Sequence, residues 1–223
     1  VAYDVYVRIQ CDGDLYGNWS NVLSFTTLPG EPARLPYACD FENAVERNAW
    51  TLVNGSQSNR WYADVLEEGN KLYVSGDGGQ TNTYEHTASS AVWAYRDFVV
   101  DEEAELVLSF DWRCAGEGMY GASYDYLKLF FGDPVSLQAG TLNPGENVVQ
   151  VDLLNMQDTW TEAEYSLGTV GGGVVKRLYF LWHNDYTEGW DPAAAIDNIE
   201  IKAIHCAQPV DLRVLNVTPN SVS

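Results

Sequence analysis

The sequence predicts an all-β fold, an antiparallel two-sheet jelly-roll sandwich, and three observations support this prediction. Aromatic residues make up 13% of the 223 residues, with 8 Trp and 14 Tyr, and aromatic side chains favour strands. Short alternations of apolar and polar residues recur along the chain and are separated by turns rich in Gly and Pro. Long stretches with helical periodicity do not occur. Many strands with irregular connections are typical of two packed antiparallel sheets.

The charge balance limits the partners that the protein can bind. The chain has 12 Lys and Arg against 32 Asp and Glu, which gives a formal net charge of −20. A surface this acidic disfavours nucleic acids and anionic membranes as partners. The most apolar segment, "RLYFLW", has the length of a strand, so we expect no membrane insertion. Most carboxylates are expected to be solvated, and some are candidates to bind a hard cation such as calcium.

The first strand patterns lie at the N-terminus. In "YDVYVRIQC" the odd positions are apolar or Cys and the even positions are mostly polar, as in a half-buried strand. A turn-like "DGDLYGN" follows, and then a second short strand, "VLSFTT". Two strands cannot bury a core alone, so we expect them to need further partners. The segment resembles the last two strands of a fibronectin type III domain, which often contain a Tyr-rich strand, "WSN" and "SFTT".

The C-terminal segment "CAQPVDLRVLNVTPNSVS" resembles the first strand of another fibronectin type III domain, with Cys206 and Pro209 in matching positions. Near the other end, "LPGEPARLP" contains three prolines and predicts a domain boundary. We therefore expect one complete domain between pieces of its neighbours in a long modular protein. The expected parts are the last strands of a type III module at 1–29, a linker at 30–35, the jelly-roll domain at 36–203, and the start of a second type III module at 204–223.

The middle segment contains the strongest strand patterns. In "ELVLSFDWRC", Leu106, Leu108, Phe110 and Trp112 alternate with more polar residues and are predicted to face the core. The same alternation groups Asp125, Leu127 and Leu129 on one face of "YDYLKLFFG", and Leu178, Phe180 and Trp182 on one face of "VVKRLYFLWHN". Four tryptophans are expected in the core: Trp50, Trp61, Trp112 and Trp182.

Six motifs in order resemble a known family. They are "LPYACDFENAVERNAW", "SFDWRCAGE", "DYLKLFFG", "TWTEAEYSL", "RLYFLWHND" and "AAAIDNIEI". Their order is similar to that of the MAM-like adhesin modules of bacterial surface proteins, including the cleaved adhesin domains of secreted bacterial proteinases. The resemblance covers roughly residues 36–202. It implies an extracellular jelly-roll binding module at a bacterial cell surface, often stabilised by calcium, and it implies no particular ligand.

The four cysteines fit a modular organisation. In bacterial type III modules, a Cys before the first strand can pair with one that ends the sixth, and Cys206 and Cys11 resemble these two positions in different modules. The resemblance therefore implies that the partner of each lies outside this sequence. Cys39 and Cys114 both lie in the middle domain, and the sequence leaves open whether they pair or are free thiols.

The stretch "AAAIDNIEI" raises a question about one carboxylate. If the stretch is a regular strand, Asp197 faces the same side as Ile199 and Ile201, which the pattern directs to the core. A buried carboxylate needs a cation, several hydrogen-bond donors or a raised pKa. One interpretation is that Asp197 caps a turn or accepts backbone N–H bonds, with help from Asn198.

The other interpretation is a structural calcium site. The first and last strands of a jelly roll are commonly neighbours, which would bring Asp40 or Glu42 close to Asp197. Carboxylates this close repel unless a cation lies between them, and calcium takes six to eight oxygens at about 2.3–2.6 Å. The turn "SGDGGQTN" contributes Asp77 as a further candidate. The family resemblance supports Glu42 and Asp197 best. We therefore predict a structural calcium ion held by Asp40, Glu42, Asp77 and Asp197.

The sequence leaves three functions open. The first is adhesion to a glycan or an extracellular protein, because Trp and Tyr offer flat apolar faces with a polar edge. The second is a passive spacer that positions a distant domain. The third is a glycosidase that uses two carboxylates, one of which would need a raised pKa in a deep cleft. The candidate ligand-binding residues are four loop aromatics: Tyr120, Tyr124, Tyr186 and Trp190.

Other enzyme classes are disfavoured by the motifs. The sequence has no G-x-S-x-G turn, H-E-x-x-H helix or phosphate-binding loop. His86, His183 and His205 have no evident nucleophile partner. We therefore expect a secreted or surface-anchored, non-catalytic binding module that is stabilised by calcium and belongs to a multidomain chain.

Overall fold

The computed structural model describes residues 2–10, 13, 15–26, 30–67 and 69–205. Within these ranges strands dominate and one short helix is present. The elements in chain order are β1 (Ala2–Val5), β2 (Leu23–Thr26), β3 (Ala33–Arg34), β4 (Tyr37–Cys39), α1 (Ala44–Ala49), β5 (Thr51–Val53), β6 (Arg60–Val65), β7 (Asn70–Ser75), β8 (Ser90–Val100), β9 (Ala104–Cys114), β10 (Glu117–Met119), β11 (Ala122–Gly132), β12 (Val148–Leu154), β13 (Gln157–Val170), β14 (Val174–Asn184) and β15 (Ala195–Ile204).

The strands form two packed sheets and a separate pair. The first sheet has the order β10–β11–β14–β8–β3, with β12 also paired to β11 and β5 also paired to β8. The second sheet has the order β13–β9–β15–β7–β6, with β4 also paired to β15. Strands β1 and β2 pair only with each other among the described residues. The predicted all-β two-sheet sandwich is confirmed.

The core lies between the two sheets and follows the predicted alternation. The inward positions of β9 and β14 are almost completely buried, because each strand presents every second side chain to the opposite sheet. The residues are Leu106, Leu108, Phe110 and Trp112 on β9, and Leu178, Phe180 and Trp182 on β14. All four tryptophans predicted for the core, Trp50, Trp61, Trp112 and Trp182, are buried.

The segment predicted as a linker at 30–35 belongs to the sandwich. Strand β3 lies in this segment and pairs in parallel with β8. Ala33 and Leu35 pack against the main core, and Arg96 Nη1 donates a hydrogen bond of 2.6 Å to the Glu31 carbonyl oxygen. These contacts attach the segment to the first sheet and to the core. The prolines that suggested a domain boundary lie next to the short edge strand β3. The predicted type III strand at 204–223 lies outside the described residues beyond His205.

Strand β15 differs from the regular strand that the sequence predicted. A β-bulge lies between Asp197 and Glu200, and Asn198 has a φ of 49°. The extra residue of a bulge shifts the alternation of side chains by one position. Ile196, Ile199 and Ile201 therefore all face the core. Asp197 does not share the face of Ile199 and Ile201, so its predicted core-directed orientation was wrong.

Cys39 and Cys114 are both free thiols and both are buried. Cys39 ends β4 and Cys114 ends β9, and β15 pairs with both strands and lies between them. Two strand spacings amount to about 9.6 Å, which exceeds the Cα separation of about 4.4–6.8 Å that a disulfide requires. The sheet order therefore explains why these two thiols do not pair. Cys11 and Cys206 lie outside the described residues.

Candidate functional site: exposed aromatics over buried carboxylates

Two connections meet at one edge of the first sheet. One is the hairpin of β10 and β11, and the other is the segment 185–194 between β14 and β15. Trp190 N donates to Gly116 O at 3.0 Å, and the two residues form an isolated antiparallel bridge. Asp185 N donates to Asp125 Oδ1 at 2.9 Å. We call the β10–β11 hairpin and the segment 185–194 together the joined loops.

The joined loops contain all four aromatic residues predicted to bind a ligand. Tyr120 at the hairpin tip is 100% exposed and Tyr124 is 42% exposed. In the segment 185–194, Tyr186 is 72% exposed and Trp190 is 44% exposed. Side chains of this size are normally buried, so four exposed aromatics on two hydrogen-bonded loops make this surface a candidate binding site, and the N-terminal segment exposes further aromatics. Their role in ligand binding stays a prediction.

A buried carboxylate, Asp125, lies where the segment 185–194 packs against β11. The alternation of β11 places Asp125 on the same face as Leu127 and Leu129, and Asp125 is 0% exposed. Tyr84 Oη donates to Asp125 Oδ2 at 2.6 Å, and this bond is buried. Gly189 packs so closely that a Cβ there would lie 2.8 Å from Asp125 Oδ2. The segment 185–194 therefore covers this carboxylate directly.

Two further carboxylates join Asp125. Glu117 is its cross-strand partner on β10 and is 7% exposed, and its Oε2 has no hydrogen-bond partner among the described residues. Asp185 is half-buried, and its Oδ1 accepts bonds from the backbone N–H and the hydroxyl of Thr187. One oxygen from each of the three carboxylates lies within 4.8 Å of the others. Among the described residues, no other group of three His, Cys, Asp or Glu is this close.

The electrostatics of this cluster favour the protonated carboxyls. Burial raises the pKa of Glu117, and the neighbouring Asp125, Asp185 and Glu188 raise it further. Burial also raises the pKa of Asp125, although its bonds from Tyr84 and the Asp185 amide oppose the rise. None of the ion pairs formed by the described residues joins a Lys or Arg to these three carboxylates. The cluster is therefore short of positive charge.

The sequence contained a signal for this cluster. The alternation in "YDYLKLFFG" grouped Asp125 with Leu127 and Leu129 on one face, and the structure buries all three. This is the argument that drew attention to Asp197, and it holds for Asp125 because the register shift of β11 against β10 precedes Asp125, and β11 pairs with β14 without a shift from Tyr126 to Gly132. Glu117 and Asp185 gave no comparable signal, since their proximity depends on the pairing of separate strands.

The predicted calcium ligands have protein partners in the structure. Asp197 Oδ2 accepts a bond of 2.6 Å from Lys71 Nζ, and its Oδ1 accepts one of 2.8 Å from Asn198 N. Glu42 accepts bonds from Asn70 N and Asn70 Nδ2, and these bonds together with the nearby Lys71 lower its pKa. The Lys71 ammonium therefore supplies positive charge where a calcium ion was predicted.

The remaining two predicted ligands are held locally. Asp40 Oδ1 accepts a bond of 3.0 Å from Glu42 N. Asp77 accepts bonds from Ser75 and Thr81, which lower its pKa to about 2. Ser75 ends β7 four residues beyond Lys71, a distance of about 13 Å along a strand, so the structure does not bring Asp77 to the other three. Calcium binding by Asp40, Glu42 and Asp197 stays a prediction.

The three histidines do not form a nucleophile pair. His183 Nδ1 donates to Ser90 O at 3.1 Å, and His205 Nδ1 donates to Glu103 O at 3.1 Å. His86 packs against the Tyr84 ring, and its Nε2 lies 3.6 Å from Asp191 Oδ1. Burial lowers the pKa of His183, which keeps this imidazole neutral near pH 7. Among the described residues, these contacts leave no Ser or Cys positioned by an imidazole.

Within the described part of the chain, no helix is long and apolar enough to cross a bilayer. No protein-family model matches the sequence, and no curated protein matches it. Several solved structures are similar in layout. The CBM22-1 xylan-binding domain from Paenibacillus barcinonensis Xyn10C is 15% identical with a TM-score of 0.42, and the match covers 80% of this chain and 100% of that one.

Two other solved structures show comparable likeness. The carbohydrate-binding module TmCBM27, described for mannan recognition, is 16% identical with a TM-score of 0.38, and the match covers 74% of this chain and 95% of that one. The enzymatically active domain of bacteriophage CBA120 tailspike protein 4 is 14% identical with a TM-score of 0.42, and the match covers 74% of this chain and 20% of that one. At TM-scores below 0.5, these likenesses assign neither a function nor a ligand to the chain.

Proposed function

We propose that the chain is a non-catalytic, extracellular binding module of a multidomain protein, and that it recognises a glycan through the joined loops. The observation that carries this proposal is the exposure of four aromatic side chains, Tyr120, Tyr124, Tyr186 and Trp190, on two loops bonded to each other. The flat faces of Tyr and Trp bury a large apolar area and retain a polar group at the edge, which suits the mixed surface of a sugar ring.

The backbone holds this surface in place before a ligand arrives. Trp190 N is bonded to Gly116 O, and Ala193 N donates to Asn82 O at 2.9 Å. The Asp191 carboxylate between them accepts a bond of 3.2 Å from Tyr84 N. A loop that is already ordered loses little entropy on binding, so its aromatic contacts contribute more of their energy to affinity.

A glycosidase that uses two carboxylates is disfavoured by the position of its candidate residues. Glu117 and Asp125 have raised pKa values, as an acid catalyst requires, and they are close together. However, Asp125 is fully buried and each of its oxygens accepts a hydrogen bond from the protein. A nucleophile or base must reach the sugar, and Asp125 cannot do so without loss of the Tyr84 bond and displacement of Gly189.

The proposal is tested by ligand screening of the whole chain with soluble polysaccharides, including xylan, mannan and galactan, and with a glycan array, followed by calorimetric titration of any binder. We expect Trp190→Ala and Tyr186→Ala each to weaken binding at least about tenfold with little change in the melting temperature. Trp19→Ala is the matched control, because Trp19 is also exposed and lies outside the joined loops. Its affinity should equal that of the wild-type protein.

Two outcomes would contradict glycan recognition by the joined loops. Equal affinity of the wild type and both loop variants for the glycan would show that the binding surface lies outside the joined loops. The absence of any glycan binder would favour either an extracellular protein as the partner or the passive spacer. A pull-down with the same loop variants as baits separates these two, since only a protein ligand would be lost with Trp190.

A further inference from the structure

We propose that Glu117, Asp125 and Asp185 bind one calcium ion, which links the β10–β11 hairpin to the segment 185–194. This site differs in every residue from the calcium ligands predicted from the sequence. It does not depend on glycan binding, because the argument uses only the carboxylates and their partners. Glu117 lies on the β10–β11 hairpin and Asp185 in the segment 185–194, so an ion bound to both would connect the two joined loops.

The separation of the oxygens fits a calcium ion. Calcium–oxygen distances are about 2.3–2.6 Å, so two ligand oxygens on opposite sides of the ion lie about 4.6–5.2 Å apart. One oxygen each from Glu117, Asp125 and Asp185 lies within 4.8 Å of the other two. An ion between them would therefore lie within about 2.8 Å of all three oxygens, close to the calcium–oxygen distance. Calcium accepts further oxygens from water at the half-exposed Asp185 side.

The hydrogen bonding of Glu117 supports a ligand independently of the acidic composition. Glu117 is more than nine-tenths buried, and its Oε2 has no hydrogen-bond partner in the described part of the chain although almost none of that atom is accessible to solvent. A buried carboxylate oxygen without a partner costs on the order of 1–3 kcal/mol, and more if it is charged. A cation at the centre of the cluster would satisfy this atom.

The partners of Asp125 orient it and leave it able to bind a metal. Its Oδ2 accepts one bond from Tyr84 Oη and its Oδ1 accepts one from Asp185 N. A carboxylate has about four lone-pair positions, so each oxygen retains one for a cation. The bond from the Asp185 amide also fixes the start of the segment 185–194 against β11, which brings the Asp185 carboxylate into the cluster.

The charge of the site favours a divalent cation. Three carboxylates converge, Glu188 is a further acidic neighbour, and no Lys or Arg ion pair of the described residues reaches them. The nearby His183 is neutral near pH 7 because burial lowers its pKa. The alternative to a cation is proton uptake by Glu117 and Asp125. Calcium neutralises two charges and supplies bonds to all three groups, whereas a shared proton joins only two of them.

The first test measures metal binding without any glycan. The whole chain is stripped of metal with EDTA, transferred to metal-free buffer at pH 7, and titrated with calcium by calorimetry. Terbium(III) is the luminescent probe, since Tyr84 and Trp190 lie close enough to the cluster to transfer excitation energy to it. We expect one saturable site, terbium emission that calcium reverses, and a melting temperature that rises with the logarithm of free calcium.

Variants assign this binding to the cluster. Glu117→Gln preserves shape and removes one charge, and we expect it to weaken calcium binding at least tenfold and to abolish the sensitised emission. Asp185→Asn is a second variant at a half-buried position, so it tests the site even if the Glu117 variant folds poorly. Glu164→Gln, at an exposed position on β13, is the control for weak binding to the acidic surface and should bind as the wild type does.

The possible results either support or overturn the proposal. Loss of binding in the two cluster variants, with retention in Glu164→Gln and in Asp197→Asn, supports it. Undiminished one-to-one binding in Glu117→Gln and Asp185→Asn overturns it. Loss of binding in Asp197→Asn alone also overturns it and places the ion near Glu42. Binding that is weak, multiple and unchanged in every variant also overturns it. Because no glycan is present, failure here leaves the proposed glycan function intact.

Discussion

Lys71 Nζ lies 2.6 Å from Asp197 Oδ2, and each of the two side chains is 13% exposed. The bulge at Asn198 places the Asp197 carboxylate on the outward face of β15. The ion pair connects this face to the neighbouring strand β7. The Lys71 ammonium also lies close to Glu42, whose pKa it helps to lower. A single lysine therefore provides charge compensation for Glu42 and Asp197, two carboxylates that lie near opposite ends of the domain's sequence.

The Lys71–Asp197 pair is predicted to stabilise the fold. Lys71→Met keeps the length of the side chain and leaves Asp197 without its cation, and we expect the free energy of unfolding to fall by about 3 kcal/mol, as for other largely buried ion pairs. Asp197→Asn in the same chain should restore part of this loss, which a double-mutant cycle in urea measures.

An exposed pair provides the control for this cycle. The Arg34–Asp101 pair has side chains that are 72% and 56% exposed, so Arg34→Met should cost less than about 1 kcal/mol. A Lys71→Met variant as stable as the wild type would contradict the prediction. Such a result would mean that Asp197 is held by other donors or by a metal ion.

Gly189 is predicted to be intolerant of a side chain. A Cβ there would overlap the Tyr84 hydroxyl and lie 2.8 Å from Asp125 Oδ2. Gly189→Ala should therefore displace Tyr84 from Asp125 and lower the free energy of unfolding by about 1–3 kcal/mol. Gly171→Ala is the matched control, because nothing lies within 4 Å of its Cβ position. Thermal or urea unfolding of the two variants should differ clearly, and equal stability would show that the segment 185–194 packs less closely than described.

The cluster is predicted to make the metal-free protein less stable as the pH rises. The pKa values of Glu117 and Asp125 are raised in the folded state. At pH values between their unfolded-state and folded-state pKa values, the folded state therefore binds more protons than the unfolded state. The stability that these protons provide is present below about pH 4 and is lost as the pH rises through the folded pKa values.

Urea unfolding from pH 4 to 8 in metal-free buffer checks this dependence. The stability of Glu117→Gln relative to the wild type should increase with pH, and saturating calcium should remove the trend. Asp77 contributes in the opposite direction, because its pKa is lowered to about 2, but most of its effect lies below pH 4 and the remainder cancels in the comparison of the two proteins. A difference between the two proteins that is independent of pH would contradict the raised pKa of Glu117.

Cys39 and Cys114 are predicted to be unreactive thiols in the folded protein. Both are buried, and burial raises the pKa of each thiol, which lowers the fraction of reactive thiolate. Iodoacetamide labelling followed by peptide mapping should modify both residues only after unfolding in urea. Rapid labelling of either thiol in the native protein would contradict its burial, and a disulfide between them would contradict the strand order of β4, β15 and β9.

The core strands show how far the alternation of side chains predicts the fold. On β9 and β14 every predicted inward residue is buried, because these long strands are regular on the face that packs against the opposite sheet. The same reasoning was wrong at Asp197, where the bulge moves Ile199 and Ile201 into phase with Ile196. It also missed that residues 30–35 join the sandwich, since a two-residue parallel pairing leaves no periodic signal.

The sequence by itself determined the all-β sandwich, the inward residues of β9 and β14 and the four loop aromatics, because burial and turn chemistry act on neighbouring residues. The tertiary structure alone decided which distant groups meet. Lys71 reaches Asp197 because β7 and β15 are neighbours, and Glu117 and Asp185 reach Asp125 because β10 pairs with β11 and the segment 185–194 folds over it. Strand pairing and one bulge set these contacts, and the energy of a charge in a protein depends on the groups around it in space.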